Sequence, residues 1–188
     1  MARFVLWCFC SLVAFGLLYI YGTFTLAMHL QDCLVATARA KASHSSLESA
    51  QQVVACVDRR AGAEKVLFNR FRDAVGSLGH SPPCQYVGSW MSSRKDGTTY
   101  QVDLNEDGSF LAQPYDSPRR GAGITGVWGV TGKRMVWLYD TGMTWPPDVN
   151  PIKEESSKGF TLVEVNGSTS RYTPIEGSTR VGSACRAT

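Results

Sequence analysis

Asp103-Leu-Asn-Glu-Asp-Gly108 is the segment that comes nearest to a metal-binding signature. Asp-x-Asn-x-Asp-Gly is the first half of a calcium loop, in which carboxylate and amide oxygens surround the ion and the glycine makes the sharp turn. The twelfth position, where a bidentate glutamate would close the shell, is Pro114. Alternation of Tyr100, Val102 and Leu104 runs straight into the segment and Phe110 resumes it, so it reads as a β-turn rich in Asp and Asn. Histidine chemistry is confined as well. His29, His44 and His80 all precede the strand-patterned region, which excludes a histidine triad in a sheet unless the helical part docks over it. Carboxylates remain, but no spacing selects an acid–base pair, and surface solvation accounts for them. No catalytic, cofactor-binding or metal-ligating residue is assigned, and the chain reads as a non-enzyme.

Cysteine chemistry is better defined. Cys8 and Cys10 lie inside an apolar run and read as free thiols at lipid depth. Cys33, Cys56, Cys84 and Cys185 lie outside it and allow three connectivities. There is no Cys-x-x-Cys pair and the histidines are isolated, so disulfides are favoured over zinc. Cys33 and Cys56 are symmetric about Ser43-His-Ser45. Two antiparallel helices folded at that point bring the two thiols to one height, which makes Cys33–Cys56 the best pairing. Cys84–Cys185 then follows and ties the start of the next domain to its end.

The elements that must hold these residues begin with the apolar run. From Phe4 to Gln31 there are 28 residues without Asp, Glu, Lys or Arg, more than the roughly 20 that span a bilayer. Arg3 biases the preceding end to the cytoplasm, and Tyr19, Tyr21 and Phe24 fall where the outer interface should lie. A removable signal peptide is the rival, but its apolar region is usually about 7–15 residues. Of the candidate cleavage patterns, Thr25-Leu-Ala27 is poor, and Ala36-Thr-Ala38 lies far downstream, where a cut would strip Cys33 and leave an odd number of outer cysteines. Residues 1–30 therefore read as an uncleaved transmembrane anchor, 31–79 as a helical neck and 80–188 as an antiparallel β domain.

In the neck, Ala-rich 34–42 extends the first helix. Ser45 with Glu48 has capping-box spacing, and Leu47, Ala50, Val54 and Val57 share one face. A third helix is predicted over about 62–78, with Leu67, Phe71, Val75 and Leu78 as its stripe. Its acidic residues favour a packed helical hairpin over a helix lying on lipid. Beyond Gly79-His-Ser-Pro-Pro-Cys84 the period becomes two. Strands are predicted near 84–91, 98–104, 109–113, 125–130, 134–139, 159–165 and 169–174. Asp96-Gly97, Asp107-Gly108, Thr131-Gly132 and Asn166-Gly167 separate neighbouring runs as tight hairpins. Asn166-Gly-Ser168 is also a glycosylation sequon, which a type I′ turn explains without sugar. The fold class is α+β: transmembrane helix, helical hairpin, then a small meander rolled into a barrel or half-barrel.

Gly88-Ser-Trp90, Asp107-Gly-Ser-Phe110, Gly126-Val-Trp128, and Phe160-Thr-Leu-Val-Glu164 with Asn166-Gly-Ser-Thr169 follow one another. This succession resembles the small lipocalin-like β domains of bacterial envelope proteins, over roughly residues 85–175. The resemblance implies a barrel and, more weakly, a ligand held in it. Trp90, Trp128 and Trp137 are then core plugs or contacts for a small apolar ligand. Trp145, beside two prolines in the irregular stretch 143–152, reads equally as a partner anchor or a lid. Tyr115 opens a second irregular stretch, 115–123.

Net charge is +3, and from Pro82 onward 11 basic residues balance 11 acidic ones. With no basic face, nucleic acid is excluded as a partner. The expectation is a single-pass protein of the inner (plasma) membrane, held through residues 4–30. Its N-terminus is cytoplasmic and its β domain periplasmic or extracellular. It binds another envelope protein without cofactors, and a small apolar ligand is the alternative.

Overall fold

The computed structural model describes residues 2–40, 46–79, 82–115, 123–140, 147–156, 158–175 and 185. They divide into two compact units, one drawn from residues 1–44 and 49–72, the other from 45–48 and 73–188. The expected turn at 43–45, with His44, and His80 in the boundary segment lie outside the described residues.

In the first unit one helix, α1 (Ala2–Ala40), contains the apolar run. Its stretch Phe9–Thr37 is long and apolar enough to cross a membrane, a property that an N-terminal signal sequence shares. Side chains from Phe9 to Tyr21 are exposed. Beyond them Gly22, Thr25, Leu26, His29 and Leu30 are half-buried and Cys33 is buried, a stripe at helical spacing. That stripe is covered by the two helices that follow, α2 (Ser46–Arg60) and α3 (Lys65–Gly76). The Cys33–Cys56 disulfide joins α1 to α2 with Cα atoms 5.8 Å apart. One turn away, Arg60 Nη1 donates to Asp32 Oδ2 at 3.1 Å.

Both helical stripes differ in detail from the pattern predicted. On α2 the buried residues are Ala50, Val53 and Val57, while Val54 is half-buried. On α3 Phe68 is buried and Leu67 is 40% exposed. The Phe68 and Phe71 rings meet at 4.8 Å, so the aromatic pair sets which face of this helix turns inward. The helix starts at Lys65 rather than near 62, because Ala63 and Glu64 form a turn closed by Lys65 N–H on Gly62 O.

The second unit is built on eight strands: β1 (Gly88–Arg94), β2 (Thr99–Leu104), β3 (Ser109–Pro114), β4 (Ile124–Thr131), β5 (Arg134–Tyr139), β6 (Asp148–Ser156), β7 (Gly159–Val163) and β8 (Thr169–Pro174). Each is antiparallel to the next, and β8 pairs back on β1, so the barrel is closed. Two corrections follow. Residues 84–86 form a 3-10 turn after Pro82-Pro83, and the first strand starts later, at Gly88. β6 occupies much of the stretch read as irregular. It carries Pro151, a register shift between Ile152 and Glu154, and charged outward residues, which hide its alternation.

Three of the hairpins share one chemistry. In each, Gly97, Gly108 or Gly167 has positive φ, and the preceding Asp96, Asp107 or Asn166 accepts from the N–H of the residue after the glycine. A type I′ turn at Asn166 would need positive φ there too. Among the described residues no non-glycine has it, so the Asn166-Gly167 turn is a type I turn ending in a glycine bulge. The Asp103–Gly108 segment is such a hairpin, in which Asp107 binds the backbone of Ser109.

Inside the barrel, Tyr86, Trp90, Val102, Leu104, Phe110, Trp128, Met135, Trp137, Phe160, Leu162 and Tyr172 form one core. Outside it, the chain after α3 lies directly on β4. A Cβ on Gly129 would fall 2.2 Å from Ser77 O. Gly129→Ala is therefore expected to cost about 1–3 kcal/mol through overpacking, read as a lower urea midpoint at unchanged slope. The Cys84–Cys185 disulfide spans 101 residues. Replacing both cysteines by Ser is expected to cost about 2–5 kcal/mol, checked by the same titration under non-reducing conditions.

Candidate functional site

In a strand, residues two apart share a face. The inward series therefore run Trp90, Ser92, Arg94 on β1; Trp137, Tyr139 on β5; Asp148, Asn150, Ile152 on β6; Phe160, Leu162, Glu164 along β7 and just past its end; and Ser170, Tyr172 on β8. Along each series the chemistry changes from apolar to polar toward the same end of the barrel. That end carries the β1–β2, β3–β4, β5–β6 and β7–β8 connections. Away from that end the inward side chains belong to the buried core.

The polar end opens as a cleft of about 620 Å³, lined by Arg94, Lys95, Asp96, Asp148, Glu164, Val165, Asn166 and Ser168. Beneath it lies a buried hydrogen-bonded layer. Asn150, 2% exposed, donates from Nδ2 to Val163 O at 3.1 Å and to Glu164 Oε2 at 3.4 Å. Ser170, fully buried, donates from Oγ to Glu164 Oε1. These bonds hold the Glu164 carboxylate in a fixed orientation beneath the cleft. Asp148 faces the same space and is half-buried, and its Oδ1 is buried without a hydrogen-bond partner among the described residues.

The electrostatics follow from this placement. Burial, and then the charge of Glu164, push the Asp148 carboxyl above the usual carboxylate range. Burial, with Asp148 and Glu164 behind it, pushes the Tyr139 phenol up to about 12. Burial also raises Tyr172. Arg94 stacks its guanidinium over the Tyr100 ring, 5.2 Å from the centroid, and its charge opposes the upward shifts of Asp148, Tyr139 and Tyr172. The cleft thus presents carboxylate oxygens in its depth and a guanidinium at its rim. Such a surface accepts hydrogen bonds from ammonium, guanidinium or hydroxyl groups and can pair an anion at the edge.

The residues singled out in the sequence are distributed differently. Trp90, Trp128 and Trp137 are 9%, 0% and 4% exposed. Trp90 Nε1 donates to Tyr86 O and Trp128 Nε1 to Asn105 O, so those indoles are satisfied parts of the core. Tyr115, 45% exposed, lines a separate cleft with Gln101 and Gln113. Trp145 lies outside the described residues. Sequence reasoning missed Ser92, Arg94, Tyr139, Asp148, Asn150, Glu164 and Ser170 as one group. The available signal was phase: each continues an inward apolar series with a polar side chain.

Eight antiparallel strands, each bonded to its sequence neighbours and closed on themselves, define a lipocalin-like up-and-down barrel. Among solved structures, a lipocalin-like protein from Bacteroides uniformis is similar, with 19% identity and a TM-score of 0.37, over 48% of this chain and 99% of that one. No protein-family model and no curated protein matches the chain.

The buried Asp148 gives a pH signature. Its folded pKa is raised, so just above the ordinary carboxylate range the folded chain holds more protons than the unfolded one. Stability then falls as pH rises through that window. Asp148→Asn is expected to raise the thermal midpoint at neutral pH and to flatten the decline above the carboxylate range. Melting curves across mildly acidic to neutral pH check this, and a lower midpoint for the variant at neutral pH contradicts it.

Proposed function

We propose that this protein is a membrane-anchored, exported binding protein without catalytic activity, and that it holds a polar, donor-bearing ligand in the mouth of its barrel. The observation that carries the reading is the position of the free space. The apolar end of the barrel is filled by Trp90, Trp128, Trp137 and their neighbours, while the open cleft is walled by Arg94, Asp148 and Glu164. An unpartnered buried carboxylate oxygen is costly, and a ligand ammonium or hydroxyl would satisfy it. Tyr115, exposed just past the end of β3 at that end of the barrel, offers a second envelope protein a point of contact.

Anchoring is supported by the length of the apolar helix and by Cys33, whose disulfide to Cys56 lies on that same helix. A cut after Ala38 would remove Cys33 and with it that bridge. Two disulfides support a domain on the oxidising side of the membrane.

Native mass spectrometry of the full chain, extracted from its membrane in detergent, tests the reading. The expected result is a small bound mass that the wild type retains and Asp148→Asn or Glu164→Gln loses. A bare wild-type protein under the gentlest desolvation contradicts it. A carboxylate-based hydrolase is the second reading, favoured by the unequal environments of Asp148 and Glu164. It predicts the opposite pattern, a mass that accumulates on the variants because only the wild type consumes it.

A further inference from the structure

The first helical unit carries an exposed apolar edge that the membrane-spanning reading of α1 leaves unexplained. Val66, 67% exposed, and Leu67, 40% exposed, lie in the first turn of α3. Exposed Lys65 and Arg70 flank them. Their height along α1 is set by three sets of contacts. Asp32 and Cys33 meet Arg60 and Cys56. Lower down, His29 Nε2 lies 3.7 Å from Glu64 Oε1, which also accepts from Gly62 N–H at 3.0 Å. Lowest, a Cβ on Gly22 would lie 3.6 Å from Glu64 Cβ and 3.7 Å from Leu67 Cδ1. α3 therefore begins beside Gly22.

From Gly22 onward one face of α1 is covered, whereas from Phe9 to Tyr21 its side chains are all exposed. At 1.5 Å per residue, residues 4–21 span about 27 Å, close to the hydrocarbon thickness of a bilayer. Tyr19, Tyr21 and Phe24, exposed at 62%, 70% and 65%, form an aromatic group at the same height, where aromatic residues mark the headgroup boundary. The geometry points to a second membrane contact: the first turn of α3 inserts Val66 and Leu67 into the outer interface, with Lys65 and Arg70 reaching lipid phosphates. The Glu64 carboxylate, held by Gly62 and His29, is turned to the helical bundle rather than to lipid. The occupant is the bilayer because the patch continues the lipid-facing surface of α1 at the depth where apolar and basic side chains are mixed. The inference rests on the anchor reading above.

The test is photo-crosslinking of the full chain in nanodiscs of phosphatidylcholine and phosphatidylglycerol, with a phospholipid whose diazirine sits near the glycerol. Adducts are mapped by peptide mass spectrometry. Lipid adducts on residues 65–70 as well as on α1 are expected, and Val66→Asp should abolish the former while sparing the latter. Labelling of α1 alone overturns the second contact and leaves the anchor standing. Labelling of neither overturns both. Adducts on 65–70 that persist unchanged in Val66→Asp overturn the insertion of that edge.

Discussion

Pairing of β8 with β1 is the constraint on which the β domain depends. Trp90 opposes both Val102 on β2 and Pro174 on β8, and Arg94 opposes Ser170. With eight strands the lumen is just wide enough for side chains to fill or for one small ligand. Closure removes both sheet edges, which would otherwise template association with other chains. It also forces every inward residue to share one narrow column. Aromatic rings solve the lower part of that column. Phe160 stacks on Tyr172 at 4.6 Å and meets Trp90 edge-on at 4.9 Å, while Phe110 meets Trp137 at 5.2 Å. These contacts place a filled floor beneath a polar mouth.

The mouth is a consequence of the same closure. Asp148 and Glu164 come from strands that are neighbours, yet their environments differ. Glu164 is held by Asn150 and Ser170, whereas Asp148 has an oxygen without a partner among the described residues. An arrangement with a free acceptor above a rigid, satisfied layer is suited to recognition, because the layer fixes geometry and the free group supplies the interaction. The helical unit follows a comparable logic. One covalent bridge, one exposed ion pair and one histidine–glutamate contact fix the hairpin against a helix whose other half is bare. Surface ion pairs contribute little by themselves, so the Cys33–Cys56 bridge and the buried Ala50, Val53 and Val57 carry that packing.

Much of the fold was legible locally. The apolar helix follows from an uninterrupted run, and the period-two strands from Tyr100, Val102 and Leu104 and their like. The hairpins follow from Asp-Gly and Asn-Gly pairs, whose turn geometry is a property of two or three residues. What failed did so for local reasons as well. β6 has Asp148 and Asn150 on its inward face and charges outward, so no hydrophobic alternation marks it. α3 could be phased on Leu67 or on Phe68, and only the packed Phe68–Phe71 pair distinguishes them.

By itself, then, the sequence determined the order and type of most elements, the helical and sheet periods, and the turn chemistry, because each depends on neighbours within a few residues. The tertiary structure decided that the sheet closes and that the tryptophans plug it. It also decided that Arg94, Asp148, Asn150, Glu164 and Ser170 converge on one end. Those residues are far apart along the chain and share no motif. Their meeting depends on strand register around a closed barrel, which is fixed jointly by all eight strands rather than by any one of them.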